Sequence, residues 1–378
     1  MRDIYFDSAA TTKPCEAAIN AALRAIEEYG NPSSSHYRGI AAKKILDTAR
    51  ERVSDALGCD TSELFFTGSG TESNNLAIIG AAGAKKRFSK TVISTDSEHP
   101  SVEQSLRHLE EDGYKVIRLS TRSGEINADE LKSALAEKVA LVSIMQANNE
   151  TGALYDIEAI RRAITLSGCG ALLHCDATQS FLKIKNRMQN RVCDLISLSA
   201  HKINGLKGCG ALFVKKGINL PAFMLGGGQE RGLRSGTENI PAIAAFGAAC
   251  AEWKANGNRI GYITELRDYT EKMLVEELGD RVAIHRPAER ICGILSISLL
   301  GVKSEVALNF LSGEGICISA GSACSSHKKE SRVLGAFGLS GEEIESSLRI
   351  SYSYLNNKEE VKLLVESLKK AAALTERI

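Results

Sequence analysis

Between about residues 60 and 215, short uninterrupted apolar runs alternate with longer amphipathic stretches: ELFFTG, TESNNLAIIGAAGAKK, TVISTD, KVALVSIMQ, IEAIRRAITLSG, GALLHCDA, DLISLSA and GALFVKK. Unbroken Val, Ile and Leu runs belong to strands buried on both faces, whereas the longer segments between them carry a helical period. The order predicts repeated strand–helix–strand units, hence an α/β fold with a mostly parallel central sheet covered by helices. In such sheets ligands bind beyond the carboxyl ends of the strands.

After about residue 257 the texture changes to a charged helical stretch, YITELRDYTEKMLVEELGD, a strand-like GILSISLLG and a last helix, KEEVKLLVESLKKAAAL. This predicts a large α/β domain over residues 16–257 and a smaller α+β domain made of residues 258–378 joined by residues 1–15. A chain of 378 residues fits two domains of ordinary size.

Composition narrows the function classes. With 43% hydrophobic and 25% charged residues, and 47 Lys+Arg against 46 Asp+Glu, this is a globular composition with almost no net charge. No basic surplus asks for nucleic acid or an anionic membrane. The opening MRDIYFDSAATTKP lacks a basic segment followed by an apolar one, and no run approaches the roughly 20 apolar residues that span a bilayer. A cytoplasmic location and no membrane partner are expected. Ten cysteines without a C-x-x-C pair read as reduced thiols, mostly small core residues, rather than a disulfide framework or zinc site. No metal is expected.

The candidate chemistry falls at the predicted strand ends. In FTGSGTESNNLA, Gly70 and Thr71 stand where a strand turns into a helix, and the free N–H groups and dipole of that helix start favour an anion. Asp176 in HCDATQS follows a buried strand, where a carboxylate is costly unless it meets a cation or donor. Ser199, His201 and Lys202 close another strand in DLISLSAHK. Each feature alone reads equally as a helix cap, a turn or a solvated loop. Together, at successive strand ends, a lysine for an aldehyde, a carboxylate for a ring nitrogen and an anion cradle match pyridoxal 5′-phosphate.

Cys324 lies in CISAGSACSSHKKESR among small and polar residues, with His327, Lys328 and Lys329 just downstream. Cationic neighbours favour the thiolate, the nucleophilic form. Gly321 and the serines mark a segment able to reorient. The other nine cysteines, Cys317 included, read as small buried residues, although the spacing of Cys317 and Cys324 also allows a regulatory disulfide.

On these residues the chain resembles the cysteine desulfurases of the NifS/IscS kind, within the class V aminotransferase group of fold-type-I pyridoxal-phosphate enzymes. YFDSAATTKP, GNPSSSH, FTGSGTESNNLAI, SEHPSV, NNETG, DATQS, SAHK, RGLRSGT, GSACSS and LRIS occur in the family's order along nearly the whole chain. The resemblance implies that Lys202 binds the cofactor aldehyde, Asp176 its ring nitrogen and Gln179 its phenolic oxygen. It also implies that His99 stacks on the ring and is a candidate catalytic proton carrier, and that Thr71, Ser199 and His201 hold the phosphate beside the Gly70 turn. Asn149 and Arg349 match residues for the substrate carboxylate. Thr237 matches a threonine that reaches the phosphate of the other subunit, implying a homodimer. Cys324 matches the thiol that takes sulfur from L-cysteine as a persulfide, leaving L-alanine. A sulfur-acceptor protein, either an iron–sulfur scaffold or a thiolation enzyme, is the implied partner. Selenocysteine lyase or another class V activity, and a noncatalytic partner protein, are the rival readings. Two departures stand out. Here HKKESRVL follows the nucleophile where many relatives have Leu-Glu-Pro-Ser, and Gln146 stands where some relatives have histidine.

Overall fold

The computed structural model describes residues 3–184, 192–321 and 331–374. Its centre is a seven-stranded sheet of β2 (Leu64–Thr67), β3 (Thr91–Thr95), β4 (Lys115–Leu119), β5 (Leu141–Met145), β6 (Leu172–Asp176), β7 (Leu195–Ser199) and β8 (Gly210–Val214), in the order β2-β8-β7-β6-β5-β3-β4. β4, β3, β5, β6 and β7 run parallel, and β8 pairs antiparallel with both β7 and β2. Every residue of β3, β5, β7 and β8 is buried, which is why these segments read as continuous apolar runs. The edge strand β4, KVIRL, is half-exposed.

Local chemistry sets the helix starts. Ser69 caps the helix Gly70–Lys85 by accepting from the Glu72 amide, and Asp156 caps Ile157–Ser167 through the Ala159 amide. The helix Ile240–Ala255 is buried on most of its surface and packs against both Glu16–Glu27 and Tyr37–Leu57. Close approach demands glycine there, because a Cβ on Gly247 would sit 2.7 Å from the Ala49 Cα. Phe246 stacks edge-on with Phe66 and Phe181, and each such buried ring contributes roughly 1.5–3 kcal/mol through burial.

The chain's flanks build two further sheets. The short strand β1 (Ile4–Tyr5) pairs parallel with β11 (Ile316–Cys317). β9 (Val282–His285), β10 (Ile294–Leu299), β12 (Ser319–Ala320) and β13 (Ser347–Ser351) form an antiparallel sheet in the order β12-β13-β10-β9. Asp7 bridges to Ser351, so the first residues are stitched to β13. Among the described residues no helix is long and apolar enough to cross a membrane. Of the nine described free cysteines seven are buried, but Cys317 is exposed on β11, which corrects its reading as a small core residue.

Candidate active site

The carboxyl ends of β5, β6 and β7 lie in register, with Met145 beside Asp176 and Asp176 beside Ser197. Asp176 is buried and fixed through both oxygens. Oδ1 accepts from the Thr178 amide at 2.9 Å, and Oδ2 from Asn74 Nδ2 at 2.7 Å. The same Asn74 nitrogen donates to Ser101 Oγ at 2.9 Å, which stands 2.8 Å from His99 Nδ1. Asp176 and His99 are therefore joined through two residues that sequence reasoning missed. His99 also caps the helix Pro100–Glu111, its Nδ1 accepting from the Ser101 amide. Burial lowers its pKa, opposed by the Asp176 charge and aided by Lys202, so the ring is neutral near pH 7.

Lys202 follows β7 in a single 3-10 turn. Its Nζ donates to the Ala9 and Ala10 carbonyls at 2.6 and 2.8 Å, and Gln179 Nε2 donates to the same Ala9 oxygen at 2.9 Å. Burial, with the charges of Lys183 and Arg349 behind it, depresses Lys202 to about 7, while Asp7 and Asp176 pull it up. His201 contacts Thr11 Oγ1 through Nδ1 at 3.1 Å, and burial together with nearby lysines lowers it to about 4.

A candidate anion cradle lies at the start of Gly70–Lys85. The first amides of a helix have no partner within it. A Cβ on Gly70 would come 3.1 Å from Thr178 Oγ1 and 3.2 Å from Ser199 Cβ, so glycine keeps the space between these side chains open. Thr178 Oγ1 is buried and without a hydrogen-bond partner among the described residues, as is Gln146 Oε1. Thr71 is exposed beside Gly70. These open donors and acceptors beside a fixed carboxylate and a half-neutral amine fit pyridoxal phosphate. Among the described residues no group of His, Cys, Asp and Glu could hold a metal ion.

Arg349 comes from β13. It is buried, and its Nη1 donates to the Asn149 carbonyl and its Nη2 to Asp7 Oδ1, both at 2.9 Å. The two residues read as carboxylate ligands are thus in contact, though Asn149 meets Arg349 through its backbone. Thr237 is exposed; the helix cap nearby is Asn239. Arg234, three residues before Thr237, reaches the cradle by donating through Nε to Glu72 at 2.8 Å. Cys324, His327, Lys328 and Lys329 lie outside the described residues. Just beyond, Ser331 donates to Glu150 Oε2 at 2.9 Å, and Arg332 Nη2 donates to the Glu98 carbonyl at 2.6 Å. Neither contact was foreseen, because nothing local in ESRVL signals a partner about 180 or more residues away.

Fold and site together define a class: the chain belongs to the aminotransferase class-V family, whose model matches residues 4–364. Its relatives within that class are narrower in kind. A cysteine desulfurase from Nostoc sp. is 38% identical over 370 residues, covering 97% of this chain and 92% of the relative. The cysteine desulfurase IscS of Methanosarcina thermophila is 35% identical over 96% of this chain and 90% of its own. Among solved structures, a NifS-like protein superposes with a TM-score of 0.92 at 33% identity, covering 99% of this chain and all of that one. Another, SspA in complex with cysteine, has a TM-score of 0.80 at 30% identity over 94% of this chain and 100% of its own.

Proposed function

We propose that this protein is a pyridoxal-phosphate-dependent cysteine desulfurase that converts L-cysteine to L-alanine and takes the sulfur on Cys324. The observation that carries the reading is the meeting of Lys202, Asp176 and His99 at the carboxyl ends of the central strands with Arg349 from β13, in a chain whose relatives are cysteine desulfurases. SspA, a structural relative complexed with cysteine, supports the same substrate. No relative quoted above bears a selenocysteine lyase name, so that alternative is not favoured.

The bound cofactor supplies an electron sink next to the substrate's Cα. The residues of the chain do the rest. Gly70, Thr71, Ser199 and His201 hold the phosphate, and Asp176, immobilised by Asn74 and Thr178, holds the ring nitrogen. Gln179 serves the phenolic oxygen and His99 covers the ring. Lys202 binds the aldehyde and, with a pKa of about 7, is neutral often enough at Nζ to take the Cα proton. Arg349, whose planar fork suits a carboxylate, and Asn149 orient the substrate. The Cys324 thiolate then attacks the substrate sulfur: an S–S bond forms, the Cβ–S bond breaks with its electron pair left on Cβ, and one proton delivered to Cβ with another returned to Cα completes L-alanine.

The persulfide passes to an acceptor protein serving iron–sulfur assembly or thiolation, in the cytoplasm. Thr237, exposed in the single chain, serves the phosphate site of a second subunit in a homodimer. The division into residues 16–257 and residues 1–15 with 258–378 belongs to the same proposal. The test is L-alanine release from L-cysteine and a thiol reductant by wild type and Cys324→Ala. Loss of turnover in the variant, with the cofactor's yellow colour kept, supports the reading; equal turnover moves it to a lyase or aminotransferase.

A further inference from the structure

Residues 7 to 12 form one wall of the site. Asp7 binds Arg349, the Ala9 carbonyl receives Lys202 and Gln179, Ala10 receives Lys202, and Thr11 meets His201. The wall is itself fixed. Ser351 donates its amide to the Phe6 carbonyl at 2.7 Å, the Ala9 amide donates to Ser351 Oγ at 2.8 Å, and the Tyr5 hydroxyl donates to the Asp7 carbonyl at 3.1 Å. Asp7 and Arg349 therefore sit on paired backbone, and their side chains meet with little freedom.

A buried guanidinium without a counter-charge is costly, and breaking such a pair leaves the remaining charge to relocate or hydrate. Here Arg349 has a 7% exposed side chain and Asp7 an 18% exposed one. Of the five guanidinium N–H groups, Asp7 and the Asn149 carbonyl account for two contacts. The buried Nε has no partner among the described residues. A fork held at two points still has donors to offer.

We infer that Asp7 is a positioning residue for substrate recognition: its carboxylate holds Arg349 so that the unspent guanidinium N–H groups face the α-carboxylate of the amino-acid substrate. The inference rests on the desulfurase reading and deepens it. Asp7 acts through Arg349 and touches no reacting atom. Its charge also raises the Lys202 pKa, an effect shared by every amine ligand, so its removal penalises molecules that carry a carboxylate more than those that do not.

The experiment compares wild type, Asp7→Asn and Asp7→Glu as purified holoenzymes. Binding of L-alanine and of ethylamine, its analogue without the carboxylate, is measured by calorimetry beside L-cysteine turnover. Asp7→Asn is expected to weaken L-alanine binding and raise KM for L-cysteine about 10- to 100-fold, the size of a lost charge-assisted hydrogen bond. Its kcat should stay within about threefold, the pattern of lost uniform binding. Ethylamine binding should change far less than L-alanine binding, and Asp7→Glu should recover much of the loss. If Asp7→Asn binds L-alanine like wild type, or loses L-alanine and ethylamine alike, the inference is overturned while the desulfurase reading stands. If Asp7→Asn does not fold, Asp7→Glu decides: the partial loss that its longer side chain leaves must fall on L-alanine affinity much more than on ethylamine affinity. A wild type that makes no L-alanine from L-cysteine overturns the reading and the inference together.

Discussion

Glu98, the residue before His99, gives the sharpest physical test of how the site is held. It is fully buried, accepting from Thr95 Oγ1 at 2.7 Å and from the Met145 amide at 3.0 Å. Burial pushes its carboxyl up from 4.5 to about 8; Asp176 adds to the push, while those two hydrogen bonds and Arg332 oppose it. At about 1.4 kcal/mol per pH unit, ionising Glu98 in the folded protein costs about 5 kcal/mol more than in the unfolded chain. The folded pKa is raised, so the native state holds the extra proton between pH 4.5 and 8. Its stabilisation is complete below pH 4.5 and lost as pH rises through 8. Glu98→Gln keeps an oxygen for both donors and cannot ionise. Urea unfolding of the two proteins at pH 5 and pH 8 should show the wild type losing about 4 kcal/mol relative to the variant. Parallel stability curves across that range would refute the claim that Glu98 is buried in its neutral form.

Other consequences follow from the same geometry. L-alanine formation should rise with pH through about 7 as Lys202 loses its proton, and Lys202→Ala should abolish it; a rate flat from pH 6 to 8.5 in a pH–rate profile would contradict that role. Asn74→Ala removes the donor shared by Asp176 and Ser101, and should weaken cofactor retention about tenfold, the worth of a charge-assisted hydrogen bond, read by dialysis and absorbance. Arg50→Ala breaks the buried two-pronged pair with Glu230 and should cost about 3–5 kcal/mol in denaturant unfolding. A loss below about 1 kcal/mol would show that the pair is exchangeable with water.

How much of this was legible in the chain depended on whether the signal was local. The fully buried strands were legible because both faces are covered and their runs are unbroken. β4 was not, because as a half-exposed edge its KVIRL reads like many surface segments. Gly70, Asp176, Ser199 and Lys202 could be picked out because each ends or closely follows a strand, and strand ends converge in a parallel sheet. Asn74 and Ser101 were missed because a polar residue in a helix carries no sign of what it faces. Asp7 was invisible for a stronger reason: its partner Arg349 is 342 residues away, and only the pairing of the first residues with β13 brings them together. The capping contact of His99 was not legible either, since its ring is placed by the Ser101 amide while it lies beside Asp176 and Lys202.

The central claim is that sulfur leaves L-cysteine onto Cys324. The most direct measurement is peptide mass spectrometry of the purified holoenzyme after brief exposure to L-cysteine without reductant, with thiols blocked by alkylation. One added sulfur on the peptide carrying Cys324, matched by one L-alanine per loaded chain, is the predicted result. L-alanine formed with no sulfur on that peptide, or sulfur loaded instead on the exposed Cys317, would contradict it.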